Sequence, residues 1–325
     1  MTTNHVQIVS LTLNPAIDKS CSIDNVVPEH KLRCHDVQFH PGGGGINVAR
    51  AIKTFGGEAM AYWTRGGALG ELLQSCLDDE GVNHHPVPIA DMTRENVIVF
   101  EESSGQQYRF GMPGARLTKQ EENKCLDLLV EWAQSKSSKS DSATSASAQT
   151  KYVVLSGSLP PGCDDSLYAK FAEALKPHSR VVLDASGESL RLGLQQGVFL
   201  IKPNKRELDQ LFGRTITNDS QIRDAAKQII DAGQAEVVVT SLGSGGATLT
   251  TSDTHEHFRT PTVEIRSKVG AGDSMVAGMV YALSKQMSIR DAIRFGVAAG
   301  AAAVMTDGTE LCRREDTERL YKEIP

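Results

Sequence analysis

Apolar and polar positions follow two different rhythms along this chain. Residues 6–13 hold enough apolar positions for a strand, which Asn14-Pro15 ends. Residues 20–27 and 33–39 are extended but partly polar. They are too polar for a buried parallel sheet and predict a small antiparallel layer with one exposed face. A second strand pair, 96–101 and 107–111, turns at Ser104-Gly105 and could join that layer. Between the two pairs the pattern predicts a strand at 59–64, a helix at 70–80 and an extended piece at 82–87. A helix at 118–132 follows, with Glu121 and Glu122 in its first turns.

From Tyr152 the rhythm becomes regular alternation. Predicted strands at 152–155, 180–184, 199–202 and 236–241 are interleaved with helices at 165–175, 190–195, 207–212 and 220–232. A hairpin (247–251 with 255–259) and helices at 289–306 and 316–324 complete the chain. The alternation predicts an α/β fold, a mostly parallel sheet covered by helices on both faces, with ligands beyond the carboxyl ends of its strands. One domain over residues 1–325 is expected, with a discontinuous β layer from 17–40 and 94–112. A lid over a site and a dimer contact are two uses for such a layer. Residues 135–150, rich in Ser and Ala, read as a flexible surface insertion, because the α/β pattern resumes directly after them.

Composition narrows the partners. A net charge of −6 argues against nucleic acid or an anionic membrane as the main partner, yet local basic residues could still bind a small anion. The six cysteines are scattered, with no C-x-x-C pair and no metal-ligand spacing, so reduced structural thiols are expected. No stretch approaches the roughly 18 apolar residues of a membrane helix, and the N-terminus lacks a signal-peptide pattern. A cytoplasmic protein is the expectation.

Two glycine-rich stretches carry the candidate chemistry. Pro41-Gly-Gly-Gly-Gly-Ile-Asn-Val-Ala-Arg50 and Val269-Gly-Ala-Gly-Asp-Ser-Met-Val-Ala-Gly-Met279 both lead into helix-compatible runs. A glycine-rich turn opening a helix aims free backbone N–H groups and the positive end of the helix dipole at one point, which makes an anion site. Asp273 sits inside the second, where a carboxylate either caps the helix or takes a proton. The plain alternatives are a flexible turn for the first stretch and a capped helix for the second.

Four motifs in order resemble the ribokinase-like, or PfkB, carbohydrate kinases: residues 41–50, Lys202-Pro-Asn-Lys-Arg-Glu207, Ser241-Leu-Gly-Ser-Gly-Gly246 and residues 269–274. The resemblance covers nearly the whole chain apart from the serine-rich insertion. Leu13-Asn-Pro-Ala-Ile-Asp18, Lys31-Leu-Arg33, Thr93-Arg94 and Ser156-Gly-Ser-Leu-Pro-Pro-Gly162 resemble its phosphosugar branch. Some relatives carry a lysine within the glycine run where Gly44 stands here. The resemblance implies a three-layer α/β/α sandwich with a β lid, and in-line transfer of the ATP γ-phosphoryl group to a sugar hydroxyl. It implies Asp273 as general base and the amides of Gly270, Ala271 and Gly272 as an anion hole. Asp18, Gly42, Gly43 and Asn47 would hold the sugar, while Lys31, Arg94 and Ser158 would hold its phosphate. Lys202, Asn204, Ser241, Gly243 and Gly246 would line ATP, with Glu207 and Asn204 organising Mg²⁺ through water. Ser267, Val269, Ala303, Thr306 and Gly308 would form a site for K⁺, put in question by Lys268 and Glu310 nearby.

The implied reaction converts D-fructose 6-phosphate to D-fructose 1,6-bisphosphate; tagatose 6-phosphate and fructose 1-phosphate are rival substrates. A sugar-phosphate-binding regulator without catalysis is the alternative from another class, disfavoured by Asp273, Asn204 and Glu207 occurring together. For single residues the plainer readings stay open: Lys31 and Arg94 as solvated charges, Glu207 as a helix-start acid and Asp18 as a turn former. The resemblance further implies a homodimer through the β lid, with Lys31 reaching the neighbour's site.

Overall fold

The computed structural model describes residues 7–135 and 150–325, so nearly all of the serine-rich insertion expected at 135–150 lies outside the described residues. Its strands in chain order are β1 (Ile8–Thr12), β2 (Ala16–Ile23), β3 (His35–Gly42), β4 (Met60–Arg65), β5 (His84–Pro88), β6 (Arg94–Glu101), β7 (Gln106–Gly111), β8 (Tyr152–Ser156), β9 (Arg180–Asp184), β10 (Val198–Ile201), β11 (Ala235–Ser241), β12 (Ala247–Thr250) and β13 (His255–Phe258). The helices are α1 (Gly44–Thr54), α2 (Gly67–Asp79), α3 (Lys119–Gln134), α4 (Leu167–Leu175), α5 (Gly187–Leu194), α6 (Lys205–Phe212), α7 (Asp219–Asp231), α8 (Ala271–Ser284), α9 (Ile289–Ala303) and α10 (Arg314–Glu323).

Nine strands form the large sheet in the order β13-β12-β11-β10-β9-β8-β1-β4-β5. All pairs from β11 to β5 are parallel, and the β12–β13 hairpin closes one edge antiparallel. Strand β1 is buried at every position, as a strand covered on both faces must be. Its apolar residues divide between two cores. Ile8 packs with α1, α8 and α9 on one face, while Val9 and Leu11 pack with α3, α4 and α7 on the other. Its two polar residues serve the glycine run: Ser10 Oγ donates to the Gly45 carbonyl at 2.6 Å, and the Ile46 amide donates to Thr12 Oγ1 at 2.9 Å. Helix α1 thus starts against the carboxyl end of β1. A Cβ at Gly45 would lie 2.5 Å from the Leu11 carbonyl oxygen, so only glycine allows that approach.

The smaller sheet has the order β3-β2-β6-β7 and joins the two sequence segments expected to share a layer. It is mixed, however, not antiparallel. Strands β2 and β6 run parallel from Ala16 opposite Arg94 to Ile23 opposite Glu101, flanked by antiparallel β3 and β7. The topology permits this: the chain between β2 and β6 passes through β3, α1, β4, α2 and β5, a connection long enough for the crossover that parallel strands need. Strand β2 begins at Ala16, four residues before the extended piece expected at 20–27. Strand β3 runs on to Gly42, so the first glycine of the run is still strand. Helix α9 ends at Ala303, three residues short of the expected Thr306.

Helices α8 and α9 pack through small residues. A Cβ at Gly278 would meet Ala299 Cβ at 2.9 Å and Gly296 Cα at 3.0 Å. That contact sets the position of α8, and with it the start of α8 at the sheet's carboxyl edge. No helix among the described residues is long and apolar enough to cross a membrane.

Candidate active site

The N-terminus of α8 is bare by construction. Gly270 is its N-cap at φ 72°, a left-handed conformation that glycine adopts without strain, and a Cβ there would lie 2.5 Å from Leu311 Cδ2. No side chain caps the helix; its first internal bond runs from the Ser274 amide to the Gly270 carbonyl at 2.8 Å. Among the described residues the amides of Gly270, Ala271, Gly272 and Asp273 have no hydrogen-bond partner. Four free donors at a helix start constitute an anion site.

Asp273 lies one turn into this site. Asn47 Nδ2, from the first turn of α1, donates to Asp273 Oδ2 at 2.8 Å, joining the two glycine-rich stretches across 226 residues. Burial pushes the Asp273 carboxyl up to about 6, and the negative charges of Asp184 and Asp18 add to the shift. The Asn47 bond and the Lys202 charge oppose it.

A cavity of about 230 Å³ opens beside this carboxylate, lined among others by Ser158, Asp184, Lys202, Glu207, Gly272 and Asp273. Lys202 Nζ is paired with Asp184 Oδ1 at 3.2 Å. Burial alone would lower the Lys202 pKa, but Asp184, Glu207 and Asp273 together raise it. Asn204 and Glu207 form a reciprocal cap on α6: the Glu207 amide donates to Asn204 Oδ1 at 2.9 Å, and the Asn204 amide to Glu207 Oε2 at 2.8 Å. The plain helix-start reading of Glu207 is therefore true, and the carboxylate faces the cavity as well. Burial raises its pKa, with Asp184 contributing. Three carboxylates here face one lysine among the described residues, a hard-oxygen, electron-rich setting that suits a divalent cation.

A larger cleft of about 580 Å³ lies on the other side of Gly272, which lines both spaces. Ser241, Gly243 and Gly246 form its polar end, while Val263, Ile265, Val297 and Val304 provide apolar walls. Ser241 is held beside Asn204 by an isolated bridge at the sheet's carboxyl edge. Gly246 adopts φ 89°, and a Cβ there would fall 1.9 Å from the Phe258 carbonyl oxygen. Lys268 lines this cleft too.

On the small-sheet side, Asp18 accepts from Asn96 Nδ2 at 2.7 Å. Burial raises its pKa, while the Asn96 bond and Arg109, Arg94 and Arg50 counteract. Gly42 leaves room for this carboxylate, since a Cβ would lie 2.5 Å from Asp18 Oδ2. Gly43 at φ 120° would set a Cβ 2.6 Å from Thr12 Cγ2. At Gly44 a Cβ would sit 2.3 Å from Ser156 Oγ and 3.1 Å from the Gly157 amide nitrogen, so a side chain there would crowd the end of β8. Arg94 donates to the Asn14 carbonyl at 3.2 Å, and its buried Nε has no partner among the described residues. Asn14 Nδ2 reaches Ser158 Oγ at 3.1 Å, linking that serine to the Arg94 side of the site. Lys31 is not gathered in: it is exposed in the loop between β2 and β3. The residues expected around a monovalent cation do cluster beside the start of α8. Ser267 Oγ lies 2.6 Å from the Gly308 carbonyl oxygen and 3.2 Å from the Val269 amide, and the Thr306 hydroxyl lies 2.8 Å from the carbonyls of both Ala303 and Glu310.

Sequence reasoning missed three side chains. Asp184 is the last residue of β9 and points at Lys202; a carboxylate ending a buried strand was the available signal. Arg109 shares a sheet face with Asp18, two residues along and two strands away, which only the observed register reveals. Arg50, buried behind Asn47, gave no signal beyond a charge on an otherwise apolar helix face.

The fold and the site define the class: an α/β phosphotransferase with a free helix start between a nucleotide-sized cleft and a small polar cavity. The pfkB family carbohydrate kinase pattern matches residues 4–316, and the chain belongs to that family. It is 42% identical to the ATP-dependent 6-phosphofructokinase isozyme 2 of Escherichia coli, over 97% of this chain and 98% of that one. The crystal structure of phosphofructokinase-2 from Escherichia coli in complex with potassium superposes with a TM-score of 0.90 at 41% identity, covering 98% of this chain and 99% of that one. The structure of the Escherichia coli protein in complex with fructose-6-phosphate gives 0.88 at 40% identity over the same shares.

The Asp273 environment has a consequence for stability. Its folded pKa lies above the ordinary 3.8, so the ionised form is penalised in the native state. The penalty is fully present above about pH 6 and vanishes as pH falls below about 4. Asp273→Asn is therefore expected to melt at a higher temperature than wild type at pH 8, with the gap shrinking toward pH 4, measured by differential scanning calorimetry in a pH series.

Proposed function

We propose that this chain is a cytoplasmic ATP-dependent 6-phosphofructokinase that converts D-fructose 6-phosphate to D-fructose 1,6-bisphosphate. The observation that carries the reading is Asp273, a carboxylate with a raised pKa set among the free amides of α8 at the junction of the two cavities. Six free cysteines suit a reducing compartment.

ATP occupies the larger cleft, its base against Val263, Ile265 and Val297 and its phosphates running past Ser241, Gly243 and Gly246 toward Gly272 and Lys202. The sugar lies over Asp18, Gly42, Gly43 and Asn47, with its phosphate held by the Arg94 guanidinium and by Ser158. Asp273 accepts the proton of the attacking hydroxyl, and a carboxylate with a pKa near 6 is ionised yet basic at neutral pH. The amides of Gly270, Ala271 and Gly272, with Lys202, stabilise the negative oxygens of the migrating phosphoryl group. Glu207 and Asn204, together with Asp184, suit Mg²⁺ held largely through water; bound there, the ion neutralises phosphate charge.

The small sheet acts as a lid. Phe39 and Phe110 are both exposed, and the strand register sets them on the face opposite Asp18 together with Lys19 and Val97. Such a face fits a second copy of the chain, giving a homodimer in which Lys31 reaches the neighbouring site. The uncharged oxygens around Ser267, Val269, Ala303, Thr306 and Gly308 suit K⁺, and Lys268 supplies a further positive charge at the nucleotide cleft.

Asp273→Asn is expected to lower kcat by about 10³-fold or more while leaving the sugar-phosphate Kd within a few-fold. Wild-type kcat should fall on the acid side with a midpoint near pH 6; near-normal turnover of the variant would defeat the mechanism. Steady-state comparison of fructose 6-phosphate, fructose 1-phosphate and tagatose 6-phosphate is expected to give the highest kcat/KM for the first. Assays in K⁺, Na⁺ and cation-free buffer should be fastest in K⁺, and equal rates in all three would remove the cation from the account.

A further inference from the structure

Behind Asn47 lies a charged group that touches neither cavity. Arg50, one turn further along α1, is 9% exposed and uses its whole guanidinium fork. Its Nε and Nη2 bind the two oxygens of Glu80, at the end of α2, at 2.7 Å each. Its Nη1 donates to the Pro41 carbonyl at 3.0 Å, near the end of β3 before the glycine run, and to Asn47 Oδ1 at 3.2 Å. Asn47 Nδ2 then donates to Asp273 Oδ2 at 2.8 Å.

The chemistry of these groups leaves one orientation for the amide. Arginine is donor-only and an ionised carboxylate is acceptor-only, so Asn47 must turn its oxygen to Arg50 and its NH₂ to Asp273. Without Arg50 the amide could turn its oxygen to Asp273 whenever that carboxyl is protonated. With it, the NH₂ is held against the carboxylate and a misplaced oxygen is excluded. The Pro41 bond ties the same guanidinium to the strand that leads from the small sheet into the glycine run.

We propose that Arg50, anchored bidentately by Glu80, is a positioning residue that locks the Asn47 amide and through it the orientation and ionisation of Asp273. The proposal rests on the reading of Asp273 as the base only for its effect on turnover; its effect on the carboxylate does not. Among the described residues, the groups that act on the Asp273 carboxylate are Asp184 at the end of β9, Lys202 after β10, Asp18 on β2 and Asn47 on α1. Arg50 works through the last of these.

The test is a ¹³C NMR titration of the aspartate carboxyls in the intact, unliganded protein, with the Asp273 signal assigned by its loss in Asp273→Asn. Arg50→Met is expected to move the Asp273 midpoint upward by about half to one pH unit, because the carboxylate loses a fixed donor. Glu80→Gln loosens the fork from its far end, should give a smaller shift in the same direction, and serves if Arg50→Met folds poorly. In kinetics on the substrate that wild type uses, Arg50→Met should lower kcat about 10- to 100-fold with KM for ATP within about twofold. The double variant Arg50→Met/Asn47→Ala should be no slower than Asn47→Ala alone, since both act through one amide. An unchanged Asp273 midpoint in both folded variants, or losses that multiply in the double variant, would overturn the proposal. A failure of fructose 6-phosphate turnover in wild type would count against the proposed reaction and leave the NMR result to decide on Arg50.

Discussion

One contact organises the molecule: the bond from Asn47 to Asp273 across the mouths of two helices. Each helix begins at a glycine turn pressed against the sheet, and each contributes one polar group at the point where they meet. The contact requires α1 to sit hard on β1, which Gly45 allows, and α8 to sit hard on α9, which Gly278 and Gly296 allow. It also places a part-buried carboxylate where the neighbours Asp184 and Asp18 are negative. Left alone such a group would protonate, and Asn47 and Lys202 oppose the shift and keep it available as a base at neutral pH. Stability is given up locally for a group primed to take a proton, a common feature of catalytic sites.

The sheet's topology explains why two cavities meet there. Strand β1 has β4 on one side and β8 on the other, and from β8 the order runs outward to β11, so the chain changes direction beside β1. Open α/β sheets bind ligands at such a switch point, beyond the carboxyl ends of the strands. The residues at those ends are the polar ones: Thr12 in β1, Ser156 in β8, Asp184 in β9 and Ser241 in β11. Ser156, Asp184 and Ser241 line a trough whose two spaces meet at Gly272, the start of α8: one fit for a nucleoside and one fit for the reacting groups.

Much of this was legible in the sequence because it is encoded locally. Glycine turns leading into apolar helices, the Asn204–Glu207 cap and the alternation after Tyr152 are patterns of neighbouring residues, and they survive into the structure with shifts of a few positions. What was illegible depends on long-range pairing. Two partly polar strand pairs do not declare the direction in which they will join, so the parallel β2–β6 contact was missed. The importance of Asp184 arises from β9 ending beside Lys202, and that of Arg50 from α2 delivering Glu80 to its far side. The alternative for Glu207, a helix-start residue, turned out to describe the same carboxylate that faces the cavity, so the two readings never competed.

The central claim is that this trough transfers a phosphoryl group from ATP to a sugar phosphate. Following the purified protein with ATP, Mg²⁺ and fructose 6-phosphate by ³¹P NMR tests it most directly. The account predicts loss of the ATP γ-resonance with equal gain of ADP and of a second phosphate ester on carbon 1 of the sugar. Release of inorganic phosphate with the sugar unchanged, or an ATP spectrum that stays constant, would contradict it.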